Sequence, residues 1–132
     1  MVKSEKVVVV DVDGTLTLER DAGQTYYDVS VCEPVKCKLV DLKKQGYWII
    51  LATSRNMRSY EGNIGQIMKN TAPVLIDWLA KNDIPYDEIH FGKPWCGHDG
   101  YYVDDRAIRP REFVELDSAE IAAVLERDRI FK

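Results

Sequence analysis

The stretch Val7–Thr17, VVVVDVDGTLT, sets four consecutive valines against two aspartates that follow at once. A continuous β-branched run bounded by a glycine turn predicts a strand, Val7–Val12, of the kind covered on both faces. Asp11 and Asp13 lie two apart on an extended chain, so their side chains leave in the same sense. Gly14 then lets the chain turn, bringing the second carboxylate over the first. One of the two can attack an electrophile while the other carries a proton.

Downstream, strands alternate with helices. Residues 17–33 are polar and aromatic and predict a loop or small hairpin. Pro34 starts a helix in which Val35, Leu39 and Leu42 share a face and Gly46 is the stop. Tyr47–Thr53 is a second buried strand, ending in the polar run Thr53, Ser54, Arg55 and Asn56. Residues 57–70 read as irregular. Thr71 and Pro73 open a helix with Val74, Leu75, Trp78 and Leu79 on one face. Glu88–Phe91 is a third strand and Tyr101–Val103 a fourth, which ends in Asp104 and Asp105. Asp117 followed by Glu120 resembles a capping box for a last helix carrying Ile121, Val124 and Leu125. The alternation predicts an α/β, three-layer Rossmann-like parallel sheet, residues 1–132 forming a single domain.

The bulk numbers agree with one globular domain. The chain has 132 residues, 45% hydrophobic and 30% charged, above the composition of disordered chains. Its formal net charge of −4 argues against a nucleic-acid partner, which usually meets a basic excess. Three cysteines without zinc-like or paired spacing argue for reduced thiols. The N-terminal apolar run is too short for a signal peptide or a membrane span, so the expected location is the cytoplasm.

Ligands of such sheets bind outside the carboxyl ends of the strands. Asp11, Asp13, Thr53, Lys93, Asp104 and Asp105 all fall there. Four carboxylates in a small volume repel one another, and Lys93 alone does not balance them. An oxygen-seeking divalent cation does, and Mg²⁺ suits a few carboxylates with water and phosphate oxygens around it. Metal and lysine together make a receptor for a phosphoryl group. Thr53, Ser54, Arg55, Asn56, Arg58, Tyr60, Glu61, Asn63 and Lys93 are candidate substrate contacts, since Arg suits phosphate and hydroxyl-rich groups. Trp95 packs beneath the lysine loop or stacks on a ring. His90 reads as a packing residue. Cys96 has no paired base and is not read as a nucleophile.

These motifs resemble those of the haloacid dehalogenase-like phosphatases. DVDGT at Asp11–Thr15 matches the first motif, Thr53 the second, Lys93 in GKP the third and VDD at Val103–Asp105 the fourth. The resemblance implies a phosphomonoesterase with Asp11 as nucleophile and Asp13 as general acid/base, the Asp13 carbonyl also on Mg²⁺. It implies phosphate contacts from Thr53 and Lys93, and a metal site completed by Asp104 and Asp105, with Asp105 the favoured direct ligand. RNMRSYEGNIG and KPWCGHDGYYVDDRAIRP are similar to small members of the superfamily linked to capsule and surface-polysaccharide biosynthesis. That similarity implies a sugar or polyol phosphate as substrate. The gaps between motifs leave no room for a full cap domain of the usual ~50–200-residue domain size. Residues 17–33 and 56–70 must then screen the site, and homo-oligomerisation is the expectation for a capless chain.

Two other classes share parts of the pattern. A 3′-phosphatase or nucleotidase acting on nucleotide or nucleic-acid termini shares DVDGT and VDDR, but the acidic balance opposes it. A receiver-like phospho-signalling module needs its phosphorylated Asp at the end of a middle strand, where this chain reads ILATSRN.

Overall fold

Burial along the first strand alternates where the sequence predicts cover on both sides. In the computed structural model, which describes residues 5–127 and 129, β1 spans Val7–Asp11. Val10 and the following Val12 are 5% and 0% exposed, whereas Val7 and Val9 are 37% and 62% exposed. The expectation of a doubly covered strand is therefore corrected: the valine run buries one face. β-Branching favours the extended backbone on either face, so the run specifies the strand but not its cover.

The chain divides into two compact units, Met1–Trp95 and Cys96–Lys132. The first holds a parallel sheet of β1, β2 (Trp48–Thr53) and β3 (Glu88–Phe91), in the order β1-β2-β3. Helix α1 (Glu33–Lys44) joins β1 to β2. Pro34 lies in its first turn, and Val35, Leu39 and Leu42 are its buried residues, as the periodicity predicts. Helices α2 (Ile64–Asn70) and α3 (Ala72–Lys81) join β2 to β3. Both crossovers step the same way across the sheet, so right-handed connections place their helices on one face. The buried positions Val10, Ile49, Leu51 and Thr53 mark that face. Within this unit the layout is thus two layers, helices on a parallel sheet.

Helix α2 corrects the irregular reading of residues 57–70. Asn63 is its N-cap, with Oδ1 accepting the Gln66 N–H at 3.1 Å, and Ile67 is buried beneath it. In α3, Ala72, Leu75, Trp78 and Leu79 are buried, while Val74, placed on that face by the sequence, is 36% exposed. Trp78 Nε1 donates to the Val29 carbonyl at 2.8 Å and ties the 17–33 loop to α3. The same loop closes as a small hairpin through an antiparallel bridge between Thr17 and Val31.

In the second unit, the fourth strand expected at Tyr101–Val103 is absent among the described residues. Tyr101, Tyr102 and Val103 are 81%, 52% and 88% exposed and take no sheet pairing. β-Propensity reflects the fit to a pleated, half-buried surface, and without a paired neighbour the run stays irregular. A helix the sequence did not predict, α4 (Pro110–Glu115), begins with Pro110 in its first turn and buries Phe113. The last helix, α5, spans Ser118–Arg127. Its expected capping box is present: Glu120 N–H donates to Asp117 Oδ1 at 2.8 Å, and Asp117 N–H to Glu120 Oε1 at 3.0 Å. Among the described residues no helix is long and apolar enough to cross a membrane. Residues 1–4 of the N-terminal stretch considered above lie outside the described residues.

Candidate active site

The turn after β1 is built around one carbonyl. Val12 O accepts the N–H groups of Thr15, Leu16 and Thr17 at 3.2, 2.9 and 3.0 Å. Gly14 takes φ +82° at its apex, a left-handed conformation that favours glycine. Its N–H donates to Thr17 Oγ1 at 3.2 Å. The turn brings Thr15 back over the strand end, and Thr15 Oγ1 donates to Asp11 Oδ2 at 3.0 Å. Thr15 is a site residue the sequence reading passed over. Its position four after Asp11, across a glycine turn, is the signal that identifies it.

The other Asp11 oxygen faces Lys93. Lys93 Nζ lies 3.3 Å from Asp11 Oδ1, and the two side chains are 25% and 33% exposed. Gly92 makes the approach: at φ +88° it turns the chain out of β3, and a Cβ there would come within 2.7 Å of the Ile64 side chain. Lys93 N–H donates to the Thr53 carbonyl at 3.1 Å, so the lysine loop is pinned to the end of β2. Asp11, Thr53 and Lys93 are thereby brought together from three strand ends.

Asp13 has a partner of its own. Arg55 Nε donates to Asp13 Oδ2 at 3.1 Å and Nη2 to Oδ1 at 2.8 Å, a two-pronged pair. The Arg55 side chain is 1% exposed and that of Asp13 41%. The guanidinium also lies over the Tyr26 ring, 4.3 Å from its centroid. Thr53 is 1% exposed and its hydroxyl accepts the Arg55 N–H at 3.0 Å.

The remaining candidate contacts divide between scaffold and rim. Ser54 is half-buried and its carbonyl accepts Met57 N–H at 3.0 Å. Asn56, at φ 61°, accepts from Thr71 Oγ1 at 2.6 Å and so ties the loop after β2 to the start of α3. Asn63 caps α2, as described. Arg58 lies over the Trp95 ring at 5.6 Å, and Trp95 is 41% exposed. His90, read from the sequence as a packing residue, is exposed instead and pairs with Glu88 Oε1 at 2.9 Å. It sits on the face of β3 opposite the helices, as the strand alternation requires.

Asp104 and Asp105 are exposed residues of the second unit. Asp104 Oδ1 accepts the Arg106 N–H at 2.7 Å, closing a local turn. Among the described residues, no group of three or more His, Cys, Asp or Glu side chains is gathered to hold a metal ion. Lys93 is not the only cation facing the carboxylates of Asp11 and Asp13. Arg55 supplies a second cation, so Asp11 and Asp13 are each matched, and mutual repulsion between these two does not by itself require a metal. Their all-oxygen donor set still fits Mg²⁺, which commonly takes one or two carboxylates and completes its shell with water and phosphate.

No family model matches the chain, and neither does any curated protein. Two solved structures are similar. A chain of the Pnkp1/Rnl/Hen1 complex is 27% identical with a TM-score of 0.46; the match covers 86% of this chain and 36% of that one. The crystal structure of an MCSG target from Vibrio cholerae is 45% identical with a TM-score of 0.90, covering 94% of this chain and 99% of that one. At that identity and coverage, the chain belongs to the same protein family as the Vibrio cholerae protein.

Proposed function

We propose that this chain is a Mg²⁺-dependent phosphomonoesterase of the haloacid dehalogenase-like kind, acting on a sugar or polyol phosphate. The observation that carries the reading is the Asp11–Lys93 pair, formed across the end of β2 between the end of β1 and the loop after β3, which is pinned to the Thr53 carbonyl. A partly exposed carboxylate held by an ammonium and a hydroxyl is a nucleophile with a fixed direction of attack. The ammonium beside it is the cation a phosphoryl group needs.

The chemistry follows from these residues. An Asp11 oxygen attacks phosphorus and forms an acyl phosphate as the P–O bond to the alcohol breaks. Asp13, which enters the cycle protonated and recovers its proton from water in the second step, delivers that proton to the leaving oxygen. Water then attacks the phosphorus of the acyl phosphate, Asp13 takes its proton, and phosphate leaves with Asp11 restored. Lys93 offsets negative charge on the phosphoryl oxygens throughout. Asp11 and the Asp13 carbonyl would hold Mg²⁺, which supplies charge neutralisation and orientation of the phosphate when bound.

The test is phosphate release from a panel of sugar, polyol and nucleotide phosphates, with Mg²⁺ and with EDTA. The expected result is turnover of at least one sugar or polyol phosphate that EDTA abolishes and Mg²⁺ restores. Turnover indifferent to EDTA removes the metal from the proposal. Activity confined to nucleotides or oligonucleotides, falling steeply with salt, replaces the substrate class.

A further inference from the structure

A guanidinium does not shed its charge in a protein, so burying one obliges the fold to supply a partner. Arg55 is 4% exposed as a residue. Two of its nitrogens are committed to Asp13. The third, Nη1, is buried and makes no hydrogen bond to the described residues. A cavity of about 50 Å³, lined by Tyr26, Arg55, Asn56, Asn70, Thr71 and Val74, adjoins this residue. The sequence reading places Arg55 among the substrate contacts. Its side chain is 1% exposed, and the two nitrogens that bond Asp13 are not available to a phosphate.

Resting on the phosphatase reading above, we propose that Arg55 is the positioning residue for Asp13. Seated on Tyr26, it holds the Asp13 carboxylate in the orientation from which a proton passes to the leaving oxygen. Two parallel N–H···O bonds fix both the place and the rotation of a carboxylate, which one bond does not. The guanidinium is held in turn. The Arg55 backbone N–H is anchored on Thr53 Oγ1, and its Cζ lies over the Tyr26 ring. Arg20 lies over the same ring at 4.2 Å, and Trp78 anchors the loop that carries it through Val29. The 17–33 loop therefore does more than screen the site. Through Tyr26 it sets the geometry of the acid.

The experiment compares Arg55→Lys, Tyr26→Leu and Tyr26→Phe with the unaltered chain in Mg²⁺. The substrates are the best sugar or polyol phosphate of the panel and p-nitrophenyl phosphate, whose leaving group departs without a proton. Arg55→Lys keeps the charge and loses the fork. Its kcat on the sugar or polyol phosphate should fall about 100-fold with KM within about 3-fold, as displaced catalytic groups do. On p-nitrophenyl phosphate its kcat/KM, which reports the first phosphoryl transfer and not the hydrolysis of the acyl phosphate common to both substrates, should fall less than about 10-fold. Tyr26→Leu leaves the ion pair in place, so it tests the same idea if Arg55→Lys fails to fold. It should show the same leaving-group pattern at about one-tenth the size, and Tyr26→Phe, which keeps the ring, should restore it. A rise in KM with kcat retained makes Arg55 a substrate contact and overturns the proposal, as do equal losses of kcat/KM on both substrates. An unaltered chain that hydrolyses no ester in Mg²⁺ defeats the phosphatase reading first, and this proposal with it.

Discussion

Two polar clusters occupy opposite ends of the same three-stranded sheet. At the amino ends, Asp87 joins the Ile49 N–H at 2.8 Å to Lys43 of α1, and Glu88 joins Trp48 Nε1 at 2.6 Å to His90 at 2.9 Å. At the carboxyl ends, Asp11 and Asp13 meet Lys93 and Arg55. The first cluster ties carboxylates to the backbone and side chains of neighbouring strands. The second commits its carboxylates to cations and a hydroxyl and leaves the two side chains 33% and 41% exposed. Similar residue types thus do different work. A carboxylate that holds a backbone N–H is spent on the fold, whereas one held by a cation in reach of solvent remains available for chemistry.

The electrostatics of the amino-end cluster carry the same lesson. Burial pushes the Asp87 carboxyl up, but the Ile49 N–H, the Lys43 hydrogen bond and the Lys43 charge outweigh it and hold the group below its ordinary value. The hydrogen bond from His90, then that from Trp48, draws the Glu88 carboxyl down. Both groups favour the folded chain in their charged forms.

Asp11 is where the largest effect on activity is expected. Asp11→Asn removes the nucleophile and should lower kcat by about 10⁴-fold or more. Its melting temperature should stay within about 4 °C, because a partly exposed ion pair contributes little to stability. Phosphate release and thermal unfolding on one preparation check both halves. Retained turnover moves the nucleophile elsewhere.

Lys93→Met sharpens the same contrast at smaller amplitude. It keeps the length of the side chain and removes the charge that steadies Asp11 and faces the phosphoryl oxygens. kcat/KM should fall about 10²- to 10³-fold, the range for removing one preorganised donor, with unfolding again little changed. A large loss of melting temperature with turnover intact would make Lys93 a residue of the fold like Asp87.

How far these roles were legible in the sequence follows from the range of each interaction. Helix α1 could be read from Pro34 and the spacing of Val35, Leu39 and Leu42, and the α5 box from Asp117 and Glu120, because both are encoded within a few residues. Helix α2 was obscured by Gly62 and Gly65 on either side of its first residue, although Asn63 before Ile64 and Ile67 is a start signal. Tyr101–Val103 misled because β-propensity says nothing of whether a partner strand is present. At the site, residue type and place at a strand end were enough to bring forward Asp11, Thr53 and Lys93. The Arg55–Asp13 pair spans 42 positions and depends on a buried geometry that no local spacing encodes. So Arg55 stood out in the sequence as a candidate substrate contact and not as the partner of Asp13.

Asp87 is where the smallest effect on activity and a clear effect on stability are expected. Asp87→Asn keeps the shape but removes the charge that faces Lys43 and the oxygen that best accepts the Ile49 N–H. The loss should be about 1–2 kcal/mol, several degrees of melting temperature, with kcat within about 2-fold of the unaltered chain. The sign of the pH dependence follows from the lowered pKa. The charged form is favoured in the folded state, so its contribution is fully present above the ordinary value of 3.8 and is lost as pH falls below it, through the folded value. Unfolding curves of the two proteins measured from pH 7 down to pH 3 should therefore run parallel at first and converge at the acid end. Curves that stay parallel throughout would show that the Asp87 charge does not stabilise this end of the sheet. The contrast between the two clusters would then rest on exposure alone.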